Sequence, residues 1–148
     1  MTRRPRLKVR DLQVADLKPG MFAAYDTVLG KRETAAFAGL TGDVSPLHVD
    51  AAYARRTPYK TNLAHGMLSA GHFSTIVGVL LPGRPALLSR MELDFLEPVP
   101  VGSAVTISGK VAQVSPMASA ITLDLLVLRG ALVCVTGKAT VTVRPRTR

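Results

Sequence analysis

Tryptophan is absent from the 148 residues, aromatics make up only 5%, and there is a single cysteine, Cys134. Without a second thiol the chain can form neither an internal disulfide nor a metal centre built on several thiolates. With so few rings, the core must be mainly aliphatic. Long apolar runs are missing too: the most obvious, Ile76–Leu81, is far shorter than a membrane crossing needs. The Arg-rich start leads into the polar stretch Asp11–Gly20 in place of the apolar segment of a secretory leader. These absences point to a soluble, cytoplasmic protein.

Acidic residues are scarce, 10 against 19 basic ones. The excess is concentrated at the ends: residues 1–10 and 144–148 hold Arg3, Arg4, Arg6, Lys8, Arg10, Arg144, Arg146 and Arg148 and no acidic residue. Residues 11–143 therefore hold 11 basic against 10 acidic side chains and are almost neutral. Residues 1–10 read as a flexible basic tail, 144–148 as a second one, and 11–143 as one domain. Basic ends without interleaved aromatics are a weak nucleic-acid signal, so no nucleic acid and no membrane is expected as partner.

The hydrophobic pattern places a first strand at Met21–Leu29 and a short helix at Lys31–Leu40, with Ala36, Phe37 and Leu40 on one face and Gly42 closing it. Pro46 cannot continue a helix, so Gly42–Leu47 is expected as an ordered loop, followed by a helix at Asp50–Arg55. Ala64–Leu81 is the long-helix candidate, its stripe running through Leu63, Met67, Ala70 and Phe73 to Ile76, Val77 and Leu80. The period then changes: Ala86–Leu96, Ala104–Val114, Ser119–Arg129 and Leu132–Arg144 alternate like strands, separated by turn residues. Short connections predict antiparallel neighbours. One long helix with one strand before it and four after it is an α+β domain, a sheet curled around a helix.

The segment Phe37–Ala54 (FAGLTGDVSPLHVDAAYA) carries the chemistry-bearing pair, Asp43 and His48, in a stretch stiffened by Gly42 and Pro46. A carboxylate near an imidazole fixes its tautomer, and the two can grip one water between them. Spacing alone leaves two readings open, since Asp43 could cap a helix and His48 could be a half-buried packing residue. Three stretches together resemble the MaoC-like, hydratase-2 family. In the first, Phe37, Leu40, Thr41, Gly42, Asp43, Pro46, Leu47, His48 and Ala54 follow that family's pattern. The second is Ala64-His65-Gly66-Met67-Leu68, and the third Phe95-Leu96-Glu97-Pro98-Val99 with Gly102. Two departures are Ser45, where the family has asparagine, and Glu97, where many relatives have a basic residue.

The resemblance implies the hot-dog fold, usually dimerised through sheet edges, and reversible hydration of a trans-2-enoyl-CoA to the (R)-3-hydroxyacyl-CoA. It implies Asp43 and His48 as the water-activating pair, with the Gly66 amide meeting charge on the thioester oxygen. Ser45, His65 and Met67 are the expected substrate-binding residues. No metal or other cofactor is expected, coenzyme A entering only as part of the substrate, and a homodimer is expected. A hot-dog thioesterase and a non-catalytic acyl-CoA-binding or partner subunit are the alternatives. The thioesterase usually takes a carboxylate or nucleophile from the central helix, and Ala64–Leu81 contains neither Asp nor Glu.

Overall fold

A computed structural model describes residues 6–146; Arg3, Arg4 and Arg148 of the expected tails lie outside them. Strand β1 (Phe22–Leu29) leads into α1 (Lys31–Thr41), then two short helices, α2 (Pro46–Val49) and α3 (Ala51–Arg56). The central helical rod follows as α4 (Gly66–Gly71), α5 (Phe73–Thr75) and a π-helical turn at Ile76–Leu80. Strands β2 (Ala86–Phe95), β3 (Ser103–Ser115), β4 (Ala120–Arg129) and β5 (Leu132–Val143) complete the chain.

All five strands form one antiparallel sheet in the order β1-β3-β4-β5-β2. The expected adjacency holds for β3, β4 and β5 but fails between β2 and β3, which the sheet separates. The physical reason lies in the connection 96–102, which does not fold back as a hairpin. It bonds instead to the segment ahead of the central helix: Ala64 N–H donates to Val99 O at 2.8 Å and Val101 N–H to Asn62 O at 2.9 Å.

The rod lies in a trough of the sheet made by one cross-strand row. Ala23 pairs with Gly109, Gly109 with Leu125, Leu125 with Gly137, and Gly137 with Leu93. A Cβ on Gly109 would stand 2.5 Å from Ile76 Cγ2, and one on Gly137 3.1 Å from the Phe73 ring. The two glycines thus let the helix seat on the strands. Phe73 and Ile76 are fully buried there with Ile107, Leu123 and Leu125, each such side chain contributing about 1.5–3 kcal/mol by leaving water.

Four local expectations change. The long helix is interrupted at His72 and ends in a π turn, with glycines at Gly66, Gly71 and Gly78 lowering its intrinsic helicity. Met67 leaves the expected stripe, being 55% exposed, while Ser69 and Ala70 are buried. On α1 the buried residues are Thr34 and Ala38, whereas Leu40 is 85% exposed. Residues 6–10, expected as a flexible tail, lie against the domain: Leu7 packs on the core and Arg10 N–H donates to Val79 O at 2.8 Å.

Candidate active site

The acid loop is built outward from the end of α1. Thr41 Oγ1 donates to Phe37 O at 2.8 Å and accepts the Asp43 amide at 3.3 Å. Gly42 closes the helix at φ 78°, a left-handed conformation that glycine adopts without penalty. Asp43 Oδ1 then accepts the Ser45 amide at 3.2 Å, holding the carboxylate against its own turn. Pro46 begins α2 rather than lying in a plain loop, because its missing N–H is harmless at the first helical position. That single turn brings His48 round to the acid.

His48 is fixed by a neighbouring segment. Its Nδ1 lies 2.7 Å from Leu63 O, and a carbonyl only accepts, so Nδ1 carries the proton and Nε2 is left as an acceptor. Asn62, the chain's only asparagine, donates its amide to Leu47 O at 3.0 Å and Asp50 O at 3.1 Å, clamping the loop on either side of His48. Asp50 caps α3 by accepting the Ala52 and Tyr53 amides at 2.8 and 2.9 Å. The Tyr53 amide is the main cause holding the Asp50 carboxyl below its ordinary value, with the Ala52 amide, Arg56 and Arg55 adding to it and desolvation opposing.

His65 is 2% exposed and sits under the pair. Its Nε2–H donates to the main-chain oxygen of Asp43 at 2.9 Å, with Asp43 Oδ2 at 3.9 Å. Its ring stacks on His48 at a centroid distance of 3.9 Å and meets Phe37 at 4.9 Å. Nδ1 is buried without a hydrogen-bond partner among the described residues. Expected to touch substrate, His65 instead offers almost no surface for one; its contacts are those of a residue that positions Asp43 and His48.

One ligand atom from each of Asp43, His48 and His65 lies within 4.8 Å of the others, a separation at which a cation could also be held. Two imidazoles and a carboxylate are donors that zinc accepts. In the observed arrangement His48 Nδ1 and His65 Nε2 face carbonyls, leaving His48 Nε2 and the carboxylate for a small polar ligand. Two hydrogen bonds of about 2.8 Å meeting at one oxygen reach across ~5 Å, the scale on which Asp43 and His48 bring a ligand atom each together.

Gly66 opens α4, where the first amides have no intrahelical acceptor. A Cβ there would stand 3.0 Å from the Phe95 ring, so glycine lets that ring pack against the start of the rod. Ser45 contributes its main-chain amide, while its hydroxyl caps nothing. Met67 stands exposed beside Gly66. Beyond Phe37, a cavity of about 350 Å³ opens between α1 and the rod, lined by Glu33, Ala36, Leu40, Leu68, Gly71 and Thr75 among others. His72, on its wall, has Nδ1 2.8 Å from Tyr25 Oη.

The pattern of the family described as "MaoC like domain" matches residues 4–124. The chain belongs to the MaoC-like family. Among its relatives in that family, the (R)-specific enoyl-CoA hydratase of Rhodospirillum rubrum is 37% identical over 131 residues, covering 88% of this chain and 91% of that protein. The (R)-specific enoyl-CoA hydratase of Aeromonas caviae is 35% identical, over 88% and 98% of the two chains. The unliganded R-hydratase of Pseudomonas aeruginosa superposes with a TM-score of 0.88 at 30% identity, covering 93% of this chain and 89% of that one. The fold is accordingly the hot-dog, in its MaoC-like form.

Asn62 and the Leu63 carbonyl were not singled out from the sequence. The one signal for Asn62 was a lone asparagine just ahead of Ala64-His65-Gly66. Thr41 and Phe37 belong to the matching motif, but a motif does not say that one holds the Asp43 amide and the other packs on His65.

Proposed function

We propose that this MaoC-like chain is an enoyl-CoA hydratase that adds water reversibly across the trans-2 double bond of an acyl-CoA, giving the (R)-3-hydroxyacyl product. The observation that carries the reading is the convergence of the Asp43 carboxylate with His48, whose Nε2 is left an acceptor by the Leu63 bond. Both groups accept from one water. As its oxygen bonds to the β-carbon, the pair takes up a proton and returns one to the α-carbon, so the net change is H and OH added across the double bond. Electron density moves to the thioester oxygen, where the Gly66 amide donates; losing such a donor costs on the order of 3 kcal/mol of transition-state stabilisation. No resident metal or redox cofactor is required by this step.

The cavity beside Phe37 supports an acyl-chain site, since it is mainly apolar, adjoins the acid loop and lies within the usual range for small-ligand pockets. Ser45 and Met67 border the reacting end. A second copy of the chain fits the open edge of β2, where Leu87, Leu88 and Phe95 are exposed; an uncovered apolar edge strand favours pairing. No helix among the described residues is long and apolar enough to span a membrane, consistent with a substrate taken from solution.

The purified protein is expected to consume crotonyl-CoA, seen as loss of enoyl-thioester absorbance, and to yield (R)-3-hydroxybutyryl-CoA on chiral analysis. Release of free thiol without hydration would instead make it a thioesterase, and inertness toward every enoyl chain length would make it a binding subunit.

A further inference from the structure

The described end segments of the chain meet in space beside Arg84. Arg10 O accepts the Arg84 amide at 2.8 Å, Leu12 N–H donates to Pro82 O at 3.2 Å, and Arg144 N–H donates to Pro85 O at 2.9 Å. These bonds fold both end segments onto the far end of the central rod. Between them opens a cleft of about 380 Å³, lined by Arg84, Arg144, Arg146, Asp11, Gln13 and two prolines. Its one carboxylate is already engaged: Asp11 Oδ2 lies 3.3 Å from Arg146 Nη2, and Oδ1 accepts the Gln13 amide at 3.2 Å. Among the described residues no carboxylate lies within ion-pair reach of Arg84 or Arg144. Two exposed, unpaired guanidiniums beside a third thus face one concave space on an otherwise neutral domain, and the planar guanidinium fork suits phosphate oxygens.

We infer that this arginine cleft is a binding site for a multiply phosphorylated nucleotide, the chemistry that ends coenzyme A. The alternative source of the same chemistry is a free nucleotide. Assignment to the substrate rests on the hydratase reading, and the distance suits it. Gly66 to Leu80 spans roughly 20 Å at the helical rise, a separation of the order of the arm that joins a thioester to its nucleotide in an extended coenzyme. The thioester at Gly66 and the phosphate end would then be held at opposite ends of one rod, by different physical means.

The test uses the full-length protein and the double variant R84A/R144A, two exposed side chains outside the hydration site. The probe is adenosine 3′,5′-bisphosphate, titrated calorimetrically at two salt concentrations. The wild type is expected to bind it, more weakly at high salt, and the double variant to lose on the order of tenfold per guanidinium. Kinetics then separate the sources. If the cleft holds the substrate, the variant raises KM for crotonyl-CoA by a similar factor while kcat and the rate with crotonyl-pantetheine, which lacks the nucleotide, stay unchanged. If binding is lost but KM for crotonyl-CoA does not move, the site stands and serves a free nucleotide. Nucleotide binding by a protein inert toward both thioesters keeps the site and removes the hydratase reading. Absence of binding to the wild type, or undiminished binding to the variant, overturns the proposal.

Discussion

His65→Phe is the sharpest perturbation of the acid loop. It preserves a planar ring for the stack on His48 at 3.9 Å and the contact with Phe37 at 4.9 Å. It removes only the Nε2–H donor to the Asp43 carbonyl. Asp43 is exposed, so its carbonyl can recover a water, and the stability lost should lie near the lower end for a hydrogen bond, about 1 kcal/mol. For a chain of this length that is a fall in Tm of about 4 °C. The kinetic effect should be much larger. With the tether gone, Asp43 no longer keeps its angle to His48, and a misplacement of that kind costs 10- to 100-fold in rate, on the order seen for small displacements of reacting groups. His65→Gln, which keeps an amide donor but loses the stack, should recover part of the lost kcat without recovering the lost stability. Crotonyl-CoA initial rates and thermal melts measure the two effects separately. If His65→Phe turned over like wild type at a similar Tm, the positioning role argued for His65 would be wrong.

Other consequences follow from the fold and the cavity. Gly71→Leu places a branched side chain into the cavity beside Phe37, where a Cβ meets nothing within 4 Å; kcat/KM should fall more for an eight-carbon enoyl-CoA than for crotonyl-CoA, and an equal fall for both would place the acyl chain elsewhere. Gly109→Ala sets a Cβ 2.5 Å from Ile76 Cγ2, in a fully buried β-branched neighbour; overpacking of about 2 kcal/mol is expected, read as a lower melting temperature, and an unchanged one would contradict the close seating of rod on sheet. The Asp50 carboxyl, held below its ordinary value mainly by the Tyr53 amide, contributes stability above that value and loses it as pH falls through the folded pKa. Asp50→Ala should therefore melt below wild type at pH 7 and the gap should narrow as the acid range is entered, whereas a constant gap would exclude the carboxylate cap as the cause.

The strands were readable because alternation survives in β3, β4 and β5, where Val105, Ile107, Val111, Leu123, Val127, Val135 and Val141 all face inward. Their order was only partly readable. Separation of β2 from β3 depends on bonds from Val99 and Val101 to the segment before the rod, and such long-range pairing leaves no trace in local composition. Pro46 cannot continue a helix but begins one here, since the same missing N–H serves both stop and start. Leu40 and Ala36 looked like a buried face but border the cavity, which apolar periodicity cannot distinguish from a core. At the site, the spacing of Asp43 and His48 left two readings open, and it was the resemblance of their motif to the MaoC-like family that pointed to the pair. The burial of His65 was not visible, because it follows from Phe37 and the Asp43 carbonyl closing over it from distant parts of the chain. The arginine cleft was only partly visible, as a basic C-terminal end whose meeting with Arg84 only the folded chain reveals.

The most direct test of the shared-water claim is a double-mutant cycle on crotonyl-CoA hydration with Asp43→Asn, His48→Gln and the pair together, each variant checked for an unchanged melt. Two groups acting on one water should each cost on the order of a hundredfold or more in kcat, and the double variant should be little worse than either single one. Full activity in either single variant, or two losses that simply multiply, would contradict a water held jointly by Asp43 and His48.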